Sequence, residues 1–152
     1  MRIDHDKFTL IEEFPLFWRW NSSTHTQLPE AVLRQIRPLP VPRAAELDHD
    51  FRRFLSGQNL GGPSLGSVFR IEATDPAKTS KRLASAVGSF SGDVVVSWSA
   101  ELAVVVPWAL FLSYWDDFCY PSSDDVTVVP IEEQWVLLYH HDEAFEFAER
   151  AA

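Results

Sequence analysis

Cysteine is almost absent from this sequence of 152 residues, which contains only Cys119. A single cysteine cannot form an internal disulfide, so a secreted scaffold held by disulfides is excluded and a reducing compartment is favoured. Long apolar runs are also absent. The longest, Leu102 to Leu112, covers 11 residues and contains Pro107, whereas a membrane-spanning helix needs about 20. The segment Met1 to Lys7 lacks the apolar core of a signal peptide. These absences predict a cytoplasmic protein that does not enter a membrane.

Basic residues are scarce in the last third of the chain. Residues 101–152 contain one, Arg150, against 11 acids, for a net charge of −10, whereas residues 1–100 contain 12 basic and 11 acidic residues, for a net charge of +1. An acidic segment of this kind favours basic partners and argues against binding to DNA or RNA, which needs a basic surface. The alternative is that these acids only keep an aromatic-rich domain in solution.

Aromatic residues, in contrast, are concentrated near residues 108–118. Trp108, Phe111, Trp115 and Phe118 are spaced by three, four and three positions, which is the repeat of one helical face. Pro107 precedes them, where a helix tolerates proline because its first amides have no partner within the helix. The pattern predicts a short helix over residues 107–118 whose four rings are buried together and organise the core.

Apolar patterns elsewhere predict the remaining elements. Strands are expected at 67–73, 93–98, 126–129 and 134–140, with a short edge strand at 17–20. Helices are expected at 29–36, 43–56, 76–87 (with Asp75 as N-cap) and 142–151, and a flexible glycine-rich connector at 58–66. Segment 99–106 fits either a strand or a helical turn. The sequence therefore predicts one α+β domain over residues 1–152, with about four or five mainly antiparallel strands and helices packed on one side.

Candidate catalytic and metal-binding residues lie close to one another near the C-terminus. His140 to Glu143 offer four potential ligands, but neighbouring strand positions point to opposite faces and no zinc motif is present. Ser122 and Ser123 lack the G-x-S-x-G turn that exposes a nucleophilic serine. Cys119 lies between two aromatic residues and is expected in the core. We therefore predict no enzymatic activity, no metal site and no cofactor.

Paired acids recur four times, at 116–117, 124–125, 132–133 and 142–143. Glycosidases need two carboxylates that face one pocket at a fixed separation, which sequence spacing does not predict. The recurrence at turns and helix ends instead predicts a solvated acidic rim, which together with an exposed aromatic residue would dock a basic protein surface. The predicted partner-binding residues are Asp116, Asp117, Tyr120, Asp124, Asp125, Glu132 and Glu133.

A motif of aromatic and acidic residues fills the C-terminal third. It reads W-x-x-F-x-x-x-W-x-x-F-x-Y-P-S-S-D-D over residues 108–125 and W-x-L-x-Y-x-H-x-E-x-F over residues 135–145, and Ile36 to Leu39 adds a fainter match. The motif resembles that of an uncharacterised family of small, acidic, aromatic-rich bacterial proteins. These proteins in turn resemble, in size and composition, the immunity proteins of bacterial toxin systems. The resemblance implies protein binding and carries over no catalytic residue.

The favoured hypothesis is a small cytoplasmic binding protein, an immunity protein that neutralises a bacterial toxin by occluding its basic surface. One alternative is an enzyme or a small-ligand-binding protein with an aromatic pocket near His140 and His141. Another is a structural or regulatory homodimer formed through the aromatic segment Phe14 to Trp20. A deep, closed aromatic cavity on which His141 and Glu143 converge would favour the first alternative, and the mass measured by size-exclusion chromatography would decide the second.

Overall fold

Nine β-strands and four α-helices form along residues 1–152, all of which are described by the structure, a computed structural model. The strands are β1 (Arg37–Pro38), β2 (Leu55–Ser56), β3 (Asn59–Leu60), β4 (Leu65–Glu72), β5 (Asp93–Ser99), β6 (Leu102–Pro107), β7 (Val126–Pro130), β8 (Trp135–His140) and β9 (Ala144–Arg150). The helices are α1 (Glu30–Leu33), α2 (Val41–Phe51), α3 (Pro76–Val87) and α4 (Trp108–Phe118). Three single turns of 3-10 helix lie at Ile11–Glu13, Phe17–Arg19 and Arg52–Phe54. None of the helices has the length and apolar character needed to span a membrane.

Seven of the strands pair in one antiparallel sheet, in the order β1–β6–β5–β7–β8–β9–β4, and β2 pairs with β3 in a separate hairpin. The predicted α+β class and antiparallel pairing are confirmed, whereas the predicted number of four or five strands is wrong. Segment 99–106 provides β6, and the proline-containing pair Arg37–Pro38 adds β1 at the edge beside it. The strand expected at 17–20 is instead a turn of 3-10 helix.

The largest local error concerns β9, because the sequence predicts a helix over residues 142–151. Alanine and glutamate favour helices, but Phe145 and Phe147 are two positions apart, so a strand places both rings on one face. Both rings are buried in the core. β9 pairs with β8 along one side and with β4 along the other. These hydrogen bonds and the burial of the two rings outweigh the local helix preference.

Both faces of the sheet are covered, so the prediction that helices pack on one side is wrong. Val94 and Val96 of β5 face a core that also contains residues of α3 and α4, whereas Val95 faces a second core that contains residues of α2. Successive strand residues point to opposite faces, so a strand that is apolar at every position requires cover on both. Leu47 and Phe51 of α2 pack in the second core and cover that face of the sheet.

The predicted aromatic helix is confirmed as α4, and its four rings are buried in the larger core. The indole Nε1 of Trp115 donates a hydrogen bond of 3.2 Å to the carbonyl oxygen of Pro76, which ties α4 to the start of α3. The predicted N-cap of α3 is also confirmed, since the Asp75 carboxylate accepts a hydrogen bond from the backbone amide of Lys78 at 3.1 Å. These contacts fix α3 and α4 side by side on one face of the sheet.

Segment 58–66, expected to be a flexible connector, contains part of the β2–β3 hairpin. Leu60 of this hairpin is buried in the second core, under α2. Gly57 adopts a φ of +65° in the hairpin turn, a conformation that glycine adopts without steric cost. A side chain at Gly62 would place its Cβ 1.9 Å from the carbonyl oxygen of Arg53, so only glycine fits there. The glycines therefore serve close packing and a tight turn.

The N-terminal segment packs over the C-terminal end of α4. Trp20 is completely buried and stacks on Phe14 with ring centroids 5.8 Å apart. Its ring also packs against Phe118, with the two centroids 5.1 Å apart. Its indole Nε1 donates a hydrogen bond of 2.9 Å to the carbonyl oxygen of Asp117. Trp18, two residues earlier, is 44% exposed. The two tryptophans of this segment therefore have different environments, one in the core and one at the surface.

Replacing these two tryptophans separates the contributions of burial and exposure. Trp20→Ala is expected to lower the free energy of unfolding by about 3–5 kcal/mol, because it leaves a cavity among aromatic rings. Trp18→Ala is expected to lower it by about 1 kcal/mol or less, since its ring is partly in solvent. Urea unfolding with matched m-values measures both. Equal losses for the two variants would contradict this assignment of the core.

Candidate functional site

Three exposed or half-exposed aromatic rings meet at the C-terminal end of α4. The centroids of Trp18 and His25 are 4.6 Å apart, those of Trp18 and Tyr120 are 6.1 Å apart, and the rings of His25 and Tyr120 stack at 6.4 Å. Asp116 and Asp117, in the last turn of α4, place carboxylates beside this cluster. We refer to these five residues as the aromatic–acidic patch. It brings together residues that are about a hundred positions apart in the chain.

A buried ion pair lies beneath the patch. Arg19 is 6% exposed and Asp124 is 8% exposed. The guanidinium donates from Nη1 to Oδ2 of Asp124 at 2.6 Å and from Nη2 to Oδ1 at 3.1 Å. The same guanidinium lies against the Tyr120 ring, with its central carbon 4.0 Å from the ring centroid. The backbone amide of Tyr120 also donates to Asp124, at 2.9 Å, so the pair fixes the position of Tyr120.

A second contact joins the patch to the polar turn at residues 21–27. The hydroxyl of Thr26 donates a hydrogen bond of 2.7 Å to the carboxylate of Asp117. Partial burial raises the pKa of Asp117, the bond from Thr26 opposes this effect, and the neighbouring charge of Asp116 raises the pKa further. Thr26 follows His25 directly, so this bond holds the imidazole beside Trp18 and Tyr120. The patch is therefore anchored on two sides by side-chain contacts.

His140 and His141 bind separate carboxylates. His140 Nε2 is 2.8 Å from Glu146 Oε1, and His141 Nδ1 is 3.0 Å from Asp125 Oδ1. Neither histidine lines any of the five larger surface grooves. No three His, Cys, Asp or Glu side chains gather as a metal site requires. The two imidazoles are therefore held by different carboxylates.

The pKa values of His141 and Asp125 are coupled. The hydrogen bond to Asp125 and the charge of that carboxylate raise the pKa of His141 above its ordinary value. Partial burial alone would raise the pKa of Asp125, but hydrogen bonds from the side chain and backbone amide of His141 outweigh burial and lower it. The two groups are therefore both charged between the lowered pKa of Asp125 and the raised pKa of His141.

The predicted partner-binding residues do not form one surface. Asp116, Asp117 and Tyr120 belong to the patch, and Asp125 is exposed at the same end of the sheet. Asp124 is a correction, because its carboxylate is buried in the pair with Arg19 and does not face solvent. An ionised arginine that is buried without a partner costs a large desolvation free energy. This cost explains why Asp124 turns inward to Arg19, whereas its neighbour Asp125 faces solvent.

Glu132 and Glu133 lie apart from the other predicted residues. They lie in the turn that follows β7, whereas Asp124 and Asp125 precede that strand. Five strand residues, at about 3.3 Å each, separate the two acid pairs by roughly 17 Å. Glu133 instead forms an ion pair with Arg53. The predicted acidic surface is therefore divided between the two ends of β7.

The remaining candidate groups are also placed by the structure. Ser122 and Ser123 lie at the turn before β7, and neither hydroxyl forms a hydrogen bond with a histidine. Cys119 is buried in the larger core, as predicted, and burial raises the pKa of its thiol well above the ordinary value. Phe14 and Trp20 of the proposed dimer segment are buried as well. The other two rings of that segment reach the surface, since Trp18 is exposed and Phe17 is half-exposed.

Three residues of this site are missing from the sequence-based prediction, namely Trp18, Arg19 and His25. Arginine is rarely buried without a partner, so an arginine between two tryptophans in an apolar segment is a signal of a buried ion pair. The identity of its partner, Asp124, depends on contacts across 105 positions. Nothing in the sequence around His25 indicates that its ring reaches Tyr120.

Comparisons of the chain with protein-family models, with curated proteins and with solved structures find no match. The resemblance expected from the motif of the C-terminal third therefore stays a prediction. The function has to be inferred from the geometry of the residues themselves.

Breaking the buried ion pair should lower the free energy of unfolding substantially. Asp124→Asn leaves the Arg19 guanidinium buried without a carboxylate, and about 3–5 kcal/mol of unfolding free energy should be lost. Replacing both residues, as in Arg19→Met with Asp124→Asn, should recover part of that loss because no charge is left unpaired. Arg34→Met, which removes the exposed pair with Glu12, is the control and should change stability little. Urea unfolding of the unmodified protein, Arg19→Met, Asp124→Asn and the double variant measures the coupling, and additive single effects would contradict it.

The pKa of His141 should depend on Asp125. In the intact protein NMR titration should give a value above 6.5 for His141, and Asp125→Asn should return it toward 6.5. The contribution of His141 to stability is present below its unfolded pKa and is lost as the pH rises through its raised folded pKa. The contribution of Asp125 to stability is present above its unfolded pKa and is lost as the pH falls through its lowered folded pKa. Glu132→Gln, at the other end of β7, should leave the titration of His141 unchanged, and an equal shift in both variants would contradict the pairing.

Proposed function

We propose that this chain is a protein-binding protein that acts without catalysis and covers a basic surface of a partner, in the manner of the immunity proteins that neutralise bacterial toxins in the cytoplasm. The observation that carries the proposal is the aromatic–acidic patch. Exposed Trp18 and His25, half-exposed Tyr120 and the carboxylates of Asp116 and Asp117 lie together at one end of the fold.

The aromatic rings of the patch suit the centre of a protein interface. Tryptophan and tyrosine are enriched among the residues that dominate interface energies, because each offers a large rigid surface and a polar group. Trp18 is one of only five large apolar side chains that are markedly exposed in this protein. It lies beside two further rings, so a partner could bury the three together.

The carboxylates of the patch suit the rim of such an interface. Residues 101–152 carry a net charge of −10, and Asp116, Asp117 and Asp125 are part of that charge at the same end of the fold. Complementary charge accelerates association and selects against acidic partners. A toxin that binds nucleic acid or another anion at its active site would present the basic surface that this arrangement requires.

The patch is held in place before any partner binds. The buried pair of Arg19 with Asp124 fixes Tyr120, and the bond from Thr26 to Asp117 fixes the turn that carries His25. Side chains that are already ordered lose less conformational entropy on binding, so more of the contact energy appears as affinity. This rigidity supports a binding function that depends on shape and charge.

Titration against the product of the adjacent gene tests the proposal. Trp18→Ala and Tyr120→Ala should each weaken binding by about thirtyfold, the effect expected for a dominant interface residue that contributes about 2 kcal/mol. Leu10→Ala is the matched control, because Leu10 is 63% exposed and lies outside the patch. Isothermal titration calorimetry gives the dissociation constants, and circular dichroism checks that each variant is folded.

Charge reversal tests the rim separately from the rings. Asp116→Lys should slow association and reduce its dependence on salt, whereas Glu132→Lys, which makes the same charge change at the other end of β7, should have a smaller effect. Stopped-flow fluorescence at several salt concentrations measures both rates. The proposal fails if Leu10→Ala weakens binding as much as Trp18→Ala, or if the two charge reversals are indistinguishable.

A further inference from the structure

A large groove lies between α3 and the β4 edge of the sheet, away from the patch. Its volume is about 660 Å³ and it is open to solvent. Phe69, Ile71 and Phe147 of the sheet give it an apolar floor, and Lys81 and Arg82 of α3 line its other wall. The groove and the aromatic–acidic patch have no residue in common.

Of the cations that line this groove, Lys81 and Arg82 have no partner within the chain, whereas Arg70 pairs with Glu72 and Asp142. Eight of the 13 lysines and arginines form ion pairs with carboxylates. Three of the other five, Lys78, Lys81 and Arg82, lie on α3. Glu149 is the only carboxylate that lines the groove. A local positive charge therefore persists beside an apolar floor, in a protein whose net charge is −9.

The strand that borders the groove has a free edge. β4 pairs only with β9, and it is eight residues long. The amide of Ala73 points to β9, because it donates to the carbonyl of Glu143 at 2.9 Å. Backbone groups alternate in direction along an antiparallel strand, so those of Val68, Arg70 and Glu72 point away from the sheet. The carbonyl of Glu72 accepts a hydrogen bond of 3.4 Å from the hydroxyl of Thr79, whereas the outward groups of Val68 and Arg70 and the amide of Glu72 are available to pair with another strand.

We propose that β4 and the α3 groove accept an extended acidic segment of a partner protein. The segment adds to the sheet as an eighth strand beside β4, and main-chain hydrogen bonds to Val68, Arg70 and the amide of Glu72 hold it there. Its alternate side chains point toward α3, where carboxylates meet Lys81 and Arg82. Its other side chains face the opposite side of the sheet, near the exposed Val68.

Charge favours this occupant over a second copy of the chain. Symmetric pairing of two β4 strands would bring the α3 helices of both copies to the same face, on either side of the new strand pair. Lys81 and Arg82 of one copy would then approach those of the other, and like charges repel. An acidic segment removes this conflict and provides the carboxylates that α3 lacks.

The test uses an eight-residue peptide of alternating Glu and Val, with the same peptide carrying Lys in place of Glu as its counterpart. Fluorescence anisotropy with the full chain should show binding of the Glu peptide and at least about tenfold weaker binding of the Lys peptide, because charge complementarity selects between them. The double variant Lys81→Glu with Arg82→Glu should weaken binding of the Glu peptide by at least about tenfold for the same reason. The control Lys7→Glu with Arg52→Glu changes the net charge equally at exposed positions outside the groove and should bind like the unmodified chain.

N-methylated peptides test the strand addition without altering the protein. In an added strand the amides of the Glu residues point to one side and those of the Val residues to the other. Methylation of one set should therefore abolish binding, and methylation of the other set should preserve it. Equal effects of the two sets, or equal binding of the Glu and Lys peptides, overturns the proposal. A dimer in light scattering that Phe69→Asp dissociates also overturns it, because a second copy would then occupy the edge.

Discussion

The buried pair of Arg19 and Asp124 determines how the N-terminal segment is placed on the rest of the fold. An ionised arginine leaves water at a cost of several kcal/mol unless a carboxylate meets it with good geometry. Asp124 meets that condition with two hydrogen bonds, so the segment around Arg19 has a defined position on the turn that follows α4. The neighbours of Arg19 then take opposite environments. Trp20 enters the core and Trp18 remains at the surface, and the exposed aromatic cluster is a consequence of this placement.

Sequence patterns predict those elements whose periodicity and burial agree. α4 is such a case, because its aromatic spacing matches one helical face and that face is buried. β5 is another, since its three successive valines make both of its faces apolar and the strand lies inside the sheet. β9 is not, because its alanines and glutamates favour a helix while its pairing on both sides requires a strand. The cover on both faces of β5 was implied by Val94, Val95 and Val96, although the sequence does not say which helix supplies it.

The candidate site was predictable only in its local part. Tyr120 and the acids at the end of α4 follow from an aromatic helix that ends in two aspartates and a turn. The contribution of Trp18 and His25 was not predictable, because it depends on contacts with Tyr120 across roughly a hundred positions. Paired acids also misled the prediction, since each pair has its own environment. Asp124 is buried against Arg19, and Glu133 is bound to Arg53 at the other end of β7.

The net charge of the whole chain does not describe the local charge at the end of α4 or along α3. Ionic screening acts over about 8 Å at physiological ionic strength, so a partner responds to the charges it approaches and not to the total. At the end of α4 those charges are Asp116 and Asp117 beside aromatic rings. Along α3 they are Lys81 and Arg82 beside an apolar floor. The acids of the last third do not neutralise these cations, because none of them lies within ion-pairing distance of α3. The two surfaces therefore differ in local charge, and the partners that we propose for them differ in chemistry for that reason.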